Sequence, residues 1–201
     1  MQTDYVLAKM KDKVDQNKIY ADMLVIEREF KIRNTQHLSS PLQCYQATLM
    51  VEQLSGLHVT QIAPGQGKSV DILLAATWLK RNRDSRCGIA TINEGLKVQM
   101  HTFKEKLCPN EDISVIDIKH LNENLNFDVV FCDEADEILS SHLFHMIVGQ
   151  SGNLRANGLC AASAAGKVVF LSATYDKNHL KRLHTIYKVT KEDIVYHETR
   201  S

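Results

Sequence analysis

Three short runs of this chain carry side chains whose types and spacing suit phosphate chemistry. The first is Ala63-Pro64-Gly65-Gln66-Gly67-Lys68-Ser69. Gly65 and Gly67 reach backbone conformations closed to other residues and let N–H groups come close to phosphate oxygens, with Pro64 and Gln66 completing the loop. Lys68 brings a compact positive charge for the β- and γ-phosphates, and Ser69 brings a hydroxyl for Mg²⁺. The strict Gly-x-x-x-x-Gly-Lys-Ser/Thr pattern asks for glycine at position 62, where this chain has Ile62. The second run, Asp133-Glu134-Ala135-Asp136, begins 65 residues after Lys68. Its Asp133 is the candidate Mg²⁺ ligand and Glu134 the candidate group that orients and deprotonates water. An acidic opening turn favoured by the helix dipole accounts for the same residues, and the two readings coexist. The third run is Ser172-Ala173-Thr174, hydroxyls that serve elsewhere as turn formers.

Elements must bring these runs together. Short β-rich segments are predicted at Leu57–Ile62, Cys87–Thr91, Ile113–Asp117, Asp128–Cys132 and Lys167–Ser172, with a weaker one at Ile194–His197. Helical patterns lie between them at Lys68–Lys80, Gly95–Leu107, Glu134–Val148 and Asn178–Tyr187. Strands of this length alternating with longer helices predict an α/β, doubly wound fold, a mostly parallel sheet with helices on both faces. Each of the three runs then ends a strand, and all three fall on the sheet edge where α/β proteins bind ligands. Ahead of the sheet, Val6, Met10, Val14, Met23, Ile26 and Phe30 recur at mostly three- and four-residue steps and predict a helical N-terminal arm over residues 1–40. A second helix is predicted from Gln43 to about Leu54. Ser151–Gly166, rich in small residues, reads as a loop.

In this order the three runs resemble motifs I, II and III of the first RecA-like motor domain of superfamily 2 helicases and translocases. Ile89–Leu96 is similar to motif Ia of the SecA-type, DEAD-like branch, and Asp133–Leu139 to its motif II. Ile186-Tyr187 resembles the short sequence before the linker to a second motor domain. Gln46, 22 residues before Lys68, resembles the glutamine that reads adenine, with Phe30 as its aromatic partner. The resemblance implies an ATP-binding RecA-like domain over residues 41–190 and the start of a linker over 191–201. It also implies ATP and Mg²⁺ as cofactors, coupling roles for Asp136, Ser172 and Thr174, and RNA, DNA or polypeptide as the polymer. A second RecA-like domain, in cis or trans, would supply the arginines that face the γ-phosphate, a contribution of about 10³–10⁵ in rate. Two departures stand out. Only 35 residues separate Asp136 from Ser172, where SecA proteins insert a large preprotein-binding domain, and Ser-Ala-Thr is the helicase form of motif III.

Composition sets the outer limits. The 201 residues include 24 Lys or Arg and 24 Asp or Glu, so a chain devoted to coating phosphate backbones is excluded. The balance is patterned: residues 111–137 hold nine acidic side chains against Lys119, and residues 79–106 seven basic against three acidic. The basic stretch is either a nucleic-acid track, with Thr91 and Asn93 near the backbone, or a solvated helix face. Five cysteines without paired spacing predict buried thiols rather than disulfides or zinc ligands, and His58, His120 and His142 have no partner at metal spacing. No run is long and apolar enough for a membrane helix, the first residues lack a secretory pattern, and a cytoplasmic location is expected. Two other classes stay open: a regulatory or interaction module that binds nucleotide without turnover, and a RecA-like kinase or other ATPase without a track.

Overall fold

The run Val129-Val130-Phe131-Cys132 sends Val129 and Phe131 into one core and Val130 and Cys132 into another. A strand buried on both faces needs this unbroken apolar stretch. Val168–Leu171 divides in the same way. The computed structural model describes residues 2–35, 41–52, 56–62, 67–140, 157–158, 161–162, 165–172, 176–187 and 194–199. They form α1 (Gln2–Arg33), α2 (Pro41–Val51), β1 (Gly56–Ile62), α3 (Lys68–Arg83), β2 (Cys87–Thr91), α4 (Glu94–Leu107), β3 (Ile113–Asp117), β4 (Val129–Asp133), α5 (Ala135–Leu139), β5 (Lys167–Ser172), α6 (Lys177–Tyr187) and β6 (Ile194–Thr199). Two 3₁₀ turns lie between β3 and β4.

The strands make one sheet in the order β3-β2-β4-β5-β1-β6, and every neighbouring pair is parallel. Helices α1 to α4 pack on one face around Ile72, Leu73, Phe131 and Leu171, and α5 and α6 pack on the other around Cys132, Phe170 and Leu183. The α/β expectation holds, with a helical arm in front of the sheet.

Several boundaries differ from the sequence reading for physical reasons. α2 begins at Pro41, whose fixed φ and missing N–H suit a first helical position. α3 runs on to Arg83, because its last turn is solvent-facing and charged and carries no apolar signal. β6, paired with β1 over Leu57–Ile62, is the weaker strand expected at Ile194–His197, carried two residues further to Thr199. α5 is described only over Ala135–Leu139, and most of Ser151–Gly166 lies outside the described residues; within it, residues 157–158 and 161–162 are helical.

The arm is not amphipathic in the expected way. Met23, Ile26 and Phe30 are buried against α2 and α3, but Met10 and Val14 are 61% and 66% exposed. Polar ties hold its C-terminal half: Trp78 Nε1 donates to Asp22 Oδ2 at 3.1 Å, Arg81 pairs with Glu29 and Glu111, and Arg33 Nη1 donates to the Leu107 carbonyl. Much of the basic stretch is engaged within the molecule. Lys80 pairs with Asp84, Lys97 with Glu94 and Lys104 with Glu105, while Arg83 lies over the Trp78 ring. Thr91 is buried, and Asn93 caps α4 by accepting from Leu96 N.

Cys44, Cys87, Cys108 and Cys132 are buried free thiols, as expected. His58 is buried and His120 exposed, whereas His142 lies outside the described residues. No helix among the described residues is long and apolar enough to cross a membrane.

Candidate functional site

β4, β5 and β1 are immediate neighbours, so the three runs meet at the carboxyl ends of adjacent strands. The register pairs Asp133 with Leu171, and Ser172, one residue further on, with Gln61 of β1. Pro64, Gly65, Gln66 and Thr174 lie outside the described residues, leaving Gly67, Lys68 and Ser69 of the first run and Ser172 of the third.

Gly67 precedes α3 with a φ of 73°, in the left-handed region where glycine is at ease. Its carbonyl accepts from Val70 N at 3.0 Å and from Gln43 Nε2 at 3.2 Å. Among the described residues no side chain caps α3, and the dipole of such a helix N-terminus favours an anion. A Cβ on residue 67 would fall 1.9 Å from Gln43 Nε2. Gly67→Ala is therefore expected to lower unfolding stability by about 1–3 kcal/mol through backbone strain and the displaced glutamine. Urea denaturation of variant and parent with superimposable midpoints would refute this.

Lys68 Nζ lies 2.9 Å from Asp133 Oδ1 and also hydrogen-bonds Glu134 Oε1. The Lys68 and Asp133 side chains are only 17% and 11% exposed. Burial alone would depress the Lys68 ammonium, but Asp133 and Glu134 hold it above its ordinary value. Burial pushes the Asp133 carboxyl up, against the pull of Lys68. Asp133 is the last residue of β4 rather than part of a helix, and Glu134 turns the chain with φ 55° before α5. The helix dipole therefore does not account for Asp133. A left-handed conformation costs a residue with a side chain roughly 1–2 kcal/mol, and here it brings two successive carboxylates onto one lysine.

Ser69 and Asp133 line a common cleft of about 240 Å³, with Leu96, Met100 and Phe103 of α4 giving it an apolar wall beside the Gln99 amide. Among the described residues no group of three His, Cys, Asp or Glu side chains can hold a metal. One carboxylate and one hydroxyl beside a phosphate-sized space fit Mg²⁺, which completes its shell with phosphate oxygens and water. Asp136, in the first turn of α5, has Oδ1 buried without a hydrogen-bond partner in the described structure, and Ser172 is buried at the end of β5.

The upstream residues lie on α1 and α2. Phe30 is fully buried in the core, so its ring is not presented for stacking. Gln46 is fully buried on α2, and Gln43, one turn earlier on the same helix, donates from Nε2 to the Gly67 carbonyl. Two glutamines three residues apart share a helix face, and spacing from Lys68 alone does not choose between them.

A second set of contacts had no sequence signal. Ser140 caps the C-terminus of α5, and its Oγ lies 2.6 Å from His179 Nε2. His179 Nδ1 accepts from Asp176 N at 3.1 Å, so Nε2 carries the proton and donates to Ser140. With that tautomer His179 is no base for the serine. Arg182 Nη1 donates to the Leu139 carbonyl, and Asp176 caps α6 by accepting from Asn178 N and His179 N. These bonds tie the helix after the acidic run to the helix after the hydroxyl run.

The fold, a mostly parallel sheet flanked by helices, matches that of RecA-like helicase domains. A hypothetical ATP-dependent RNA helicase from Sulfolobus tokodaii superposes with a TM-score of 0.58 at 15% identity, over 87% of this chain and 56% of that one. Dbp5 of S. cerevisiae, bound to RNA and ADP BeF3, gives 0.61 at 12% identity over 89% and 50%. The DEAD-box helicase Mss116, bound to ssRNA and UDP-BeF, gives 0.59 at 16% over 92% and 43%. The chain thus spans about half the length of these structures. No protein-family model and no curated protein matches it.

Proposed function

We propose that this chain is the ATP·Mg-binding first motor domain of a superfamily 2 ATPase. The observation that carries this reading is the convergence of Lys68, Asp133 and Glu134 beside an uncapped helix N-terminus, at the ends of adjacent strands. Lys68 and the loop containing Pro64, Gly65, Gln66 and Gly67 would bind the β- and γ-phosphates. Ser69 and Asp133 would hold Mg²⁺, which neutralises charge on the phosphoryl group when bound. Glu134 would orient water and take its proton. Gln43, through Gly67, would sense the state of the loop, and Asp136, Ser172 and Thr174 would pass it to domain closure. Within the superfamily, the sequences Ile89–Leu96 and Asp133–Leu139 favour the SecA-type branch. Efficient hydrolysis, and movement along RNA, DNA or polypeptide, would require a second RecA-like domain.

Lys68 must exchange its two carboxylates for phosphates when nucleotide arrives. Glu134→Gln is therefore expected to bind ATP·Mg at least as well as the parent while single-turnover hydrolysis falls by about 10²-fold or more. Equal turnover in variant and parent would sink the assignment. Intact binding without measurable turnover in the parent, even with RNA and a second motor domain supplied, would favour a regulatory module instead.

A further inference from the structure

Helix α1 has two apolar faces, and only one is covered. Seven large apolar side chains are exposed among the described residues, and five of them, Met10, Val14, Leu24, Val25 and Ile32, are on this helix. At about 100° per residue they fall within an arc of roughly 100°, diametrically opposite the arc of Met23, Ile26 and Phe30 that packs on the domain. That width is the apolar stripe of a helix built to bury a face. Met10, Val14, Asn17, Ala21 and Leu24 follow one another at steps of four, three, four and three, the spacing of a two-helix seam.

We propose that this outer face pairs two copies of the chain through a helix-to-helix contact. At roughly 100 Å² per side chain, the five residues present about 500 Å² on one protomer and about 1,000 Å² in a symmetric pair, the size at which a protein contact becomes specific. The charges flanking the stripe also favour a like partner. From residue 13 to residue 33 the helix carries five basic and four acidic side chains. Such a near-neutral, mixed surface meets its own copy without repulsion, whereas a nucleic acid or an anionic membrane calls for a basic excess. Two polar residues, Asn17 and Arg28, fall within the same arc, positions of the kind that fix register in an otherwise apolar seam at some cost in stability. The contact is two-fold and self-complementary, and both domains lie on its outer sides, since each arm holds its own domain with the opposite face.

The test is sedimentation equilibrium of the 201-residue chain, which has a protomer mass of 22.8 kDa, from about 1 to about 100 µM. A reversible monomer–dimer equilibrium is expected. A Val14→Glu, Val25→Glu variant is expected to weaken it at least about 30-fold, because it buries charge without a partner. Both positions are solvent-exposed in the monomer, and far-UV circular dichroism reports whether the fold persists. Should the charged variant not fold, Val14→Ser, Val25→Ser takes its place, with a shift of about tenfold expected. A monomer throughout the concentration range overturns the proposal and leaves the stripe to a different protein. A dimer of undiminished affinity in the folded variants overturns it equally, because the contact is then elsewhere.

Discussion

Lys68→Ala is expected to reduce the affinity for ATP·Mg on the order of 100-fold, the equivalent of about 2.7 kcal/mol. The magnitude is that of hydrogen bonds between an ammonium and charged phosphate oxygens in a site partly shielded from water. Without nucleotide, Lys68 is held by Asp133 at 2.9 Å and by Glu134, so its removal has a second effect. Two successive carboxylates lose their shared cation, and Asp133, already pushed up by burial, is pushed further. The variant is therefore expected to be less stable than the parent at pH 7, and the gap should narrow in acid as Asp133 takes up a proton. Calorimetric titration with ATP·Mg reads the first effect, and urea denaturation at pH 5 and pH 7 the second. Equal affinities in variant and parent would remove Lys68 from the site. Lys68→Arg, which keeps the charge, should lose less of both.

The second large effect involves a residue outside the proposed chemistry. Asp71 lies in the first turn of α3, fully buried, and neither of its carboxyl oxygens has a hydrogen-bond partner in the described structure. Burial pushes its carboxyl up to about 9, whereas the unfolded chain ionises it near 4. The folded state thus holds a proton that the unfolded state releases between these values. Its contribution to stability is fully present below about pH 4 and is lost as pH rises toward 9, at up to about 1.4 kcal/mol per unit. Asp71→Asn keeps the shape and removes the titration. Between pH 5 and 7 the stability of the parent should fall relative to that of the variant by roughly 2–3 kcal/mol. Lys167, which burial depresses to about 7, acts in the opposite sense: it adds stability as pH rises from about 7 toward the ordinary lysine value near 10. The chosen window lies below that change, and the difference between variant and parent cancels it. Parallel pH profiles would show that Asp71 ionises freely in the folded protein.

Neither Asp71 nor Lys167 stands out in the sequence. An acidic residue in a first helical turn is the usual partner of the helix dipole, and only the packing of α2 over α3 shows this one to be shut away from water. Strands were the most legible elements: β2, β3 and β5 run as their apolar, β-branched composition indicates. Helix ends were less so, because charged turns facing solvent obey no apolar period. The arm shows the limit of periodicity most clearly. Met10 and Val14 follow the same step rule as Met23, Ile26 and Phe30, but the nine-residue gap from Val14 to Met23 carries the pattern to the opposite side of the helix. In the site, residue type pointed to Lys68, Asp133 and Glu134, and the fold brings the three into contact. The contact of Gln43 with Gly67, and the ties of His179 and Arg182 to α5, depend on distances between elements that no spacing encodes.

The order of the strands has one more consequence. β5 lies between β1, which precedes the Gly67-Lys68-Ser69 run, and β4, which ends in Asp133, about 4.8 Å from each. On the proposed function, a shift at either flank, from the arrival of a phosphate or the departure of Lys68 from Asp133, would reach the end of β5 across a single row of hydrogen bonds. On that reading β5, hydrogen-bonded to both flanks, would respond to the pair of events rather than to either one alone.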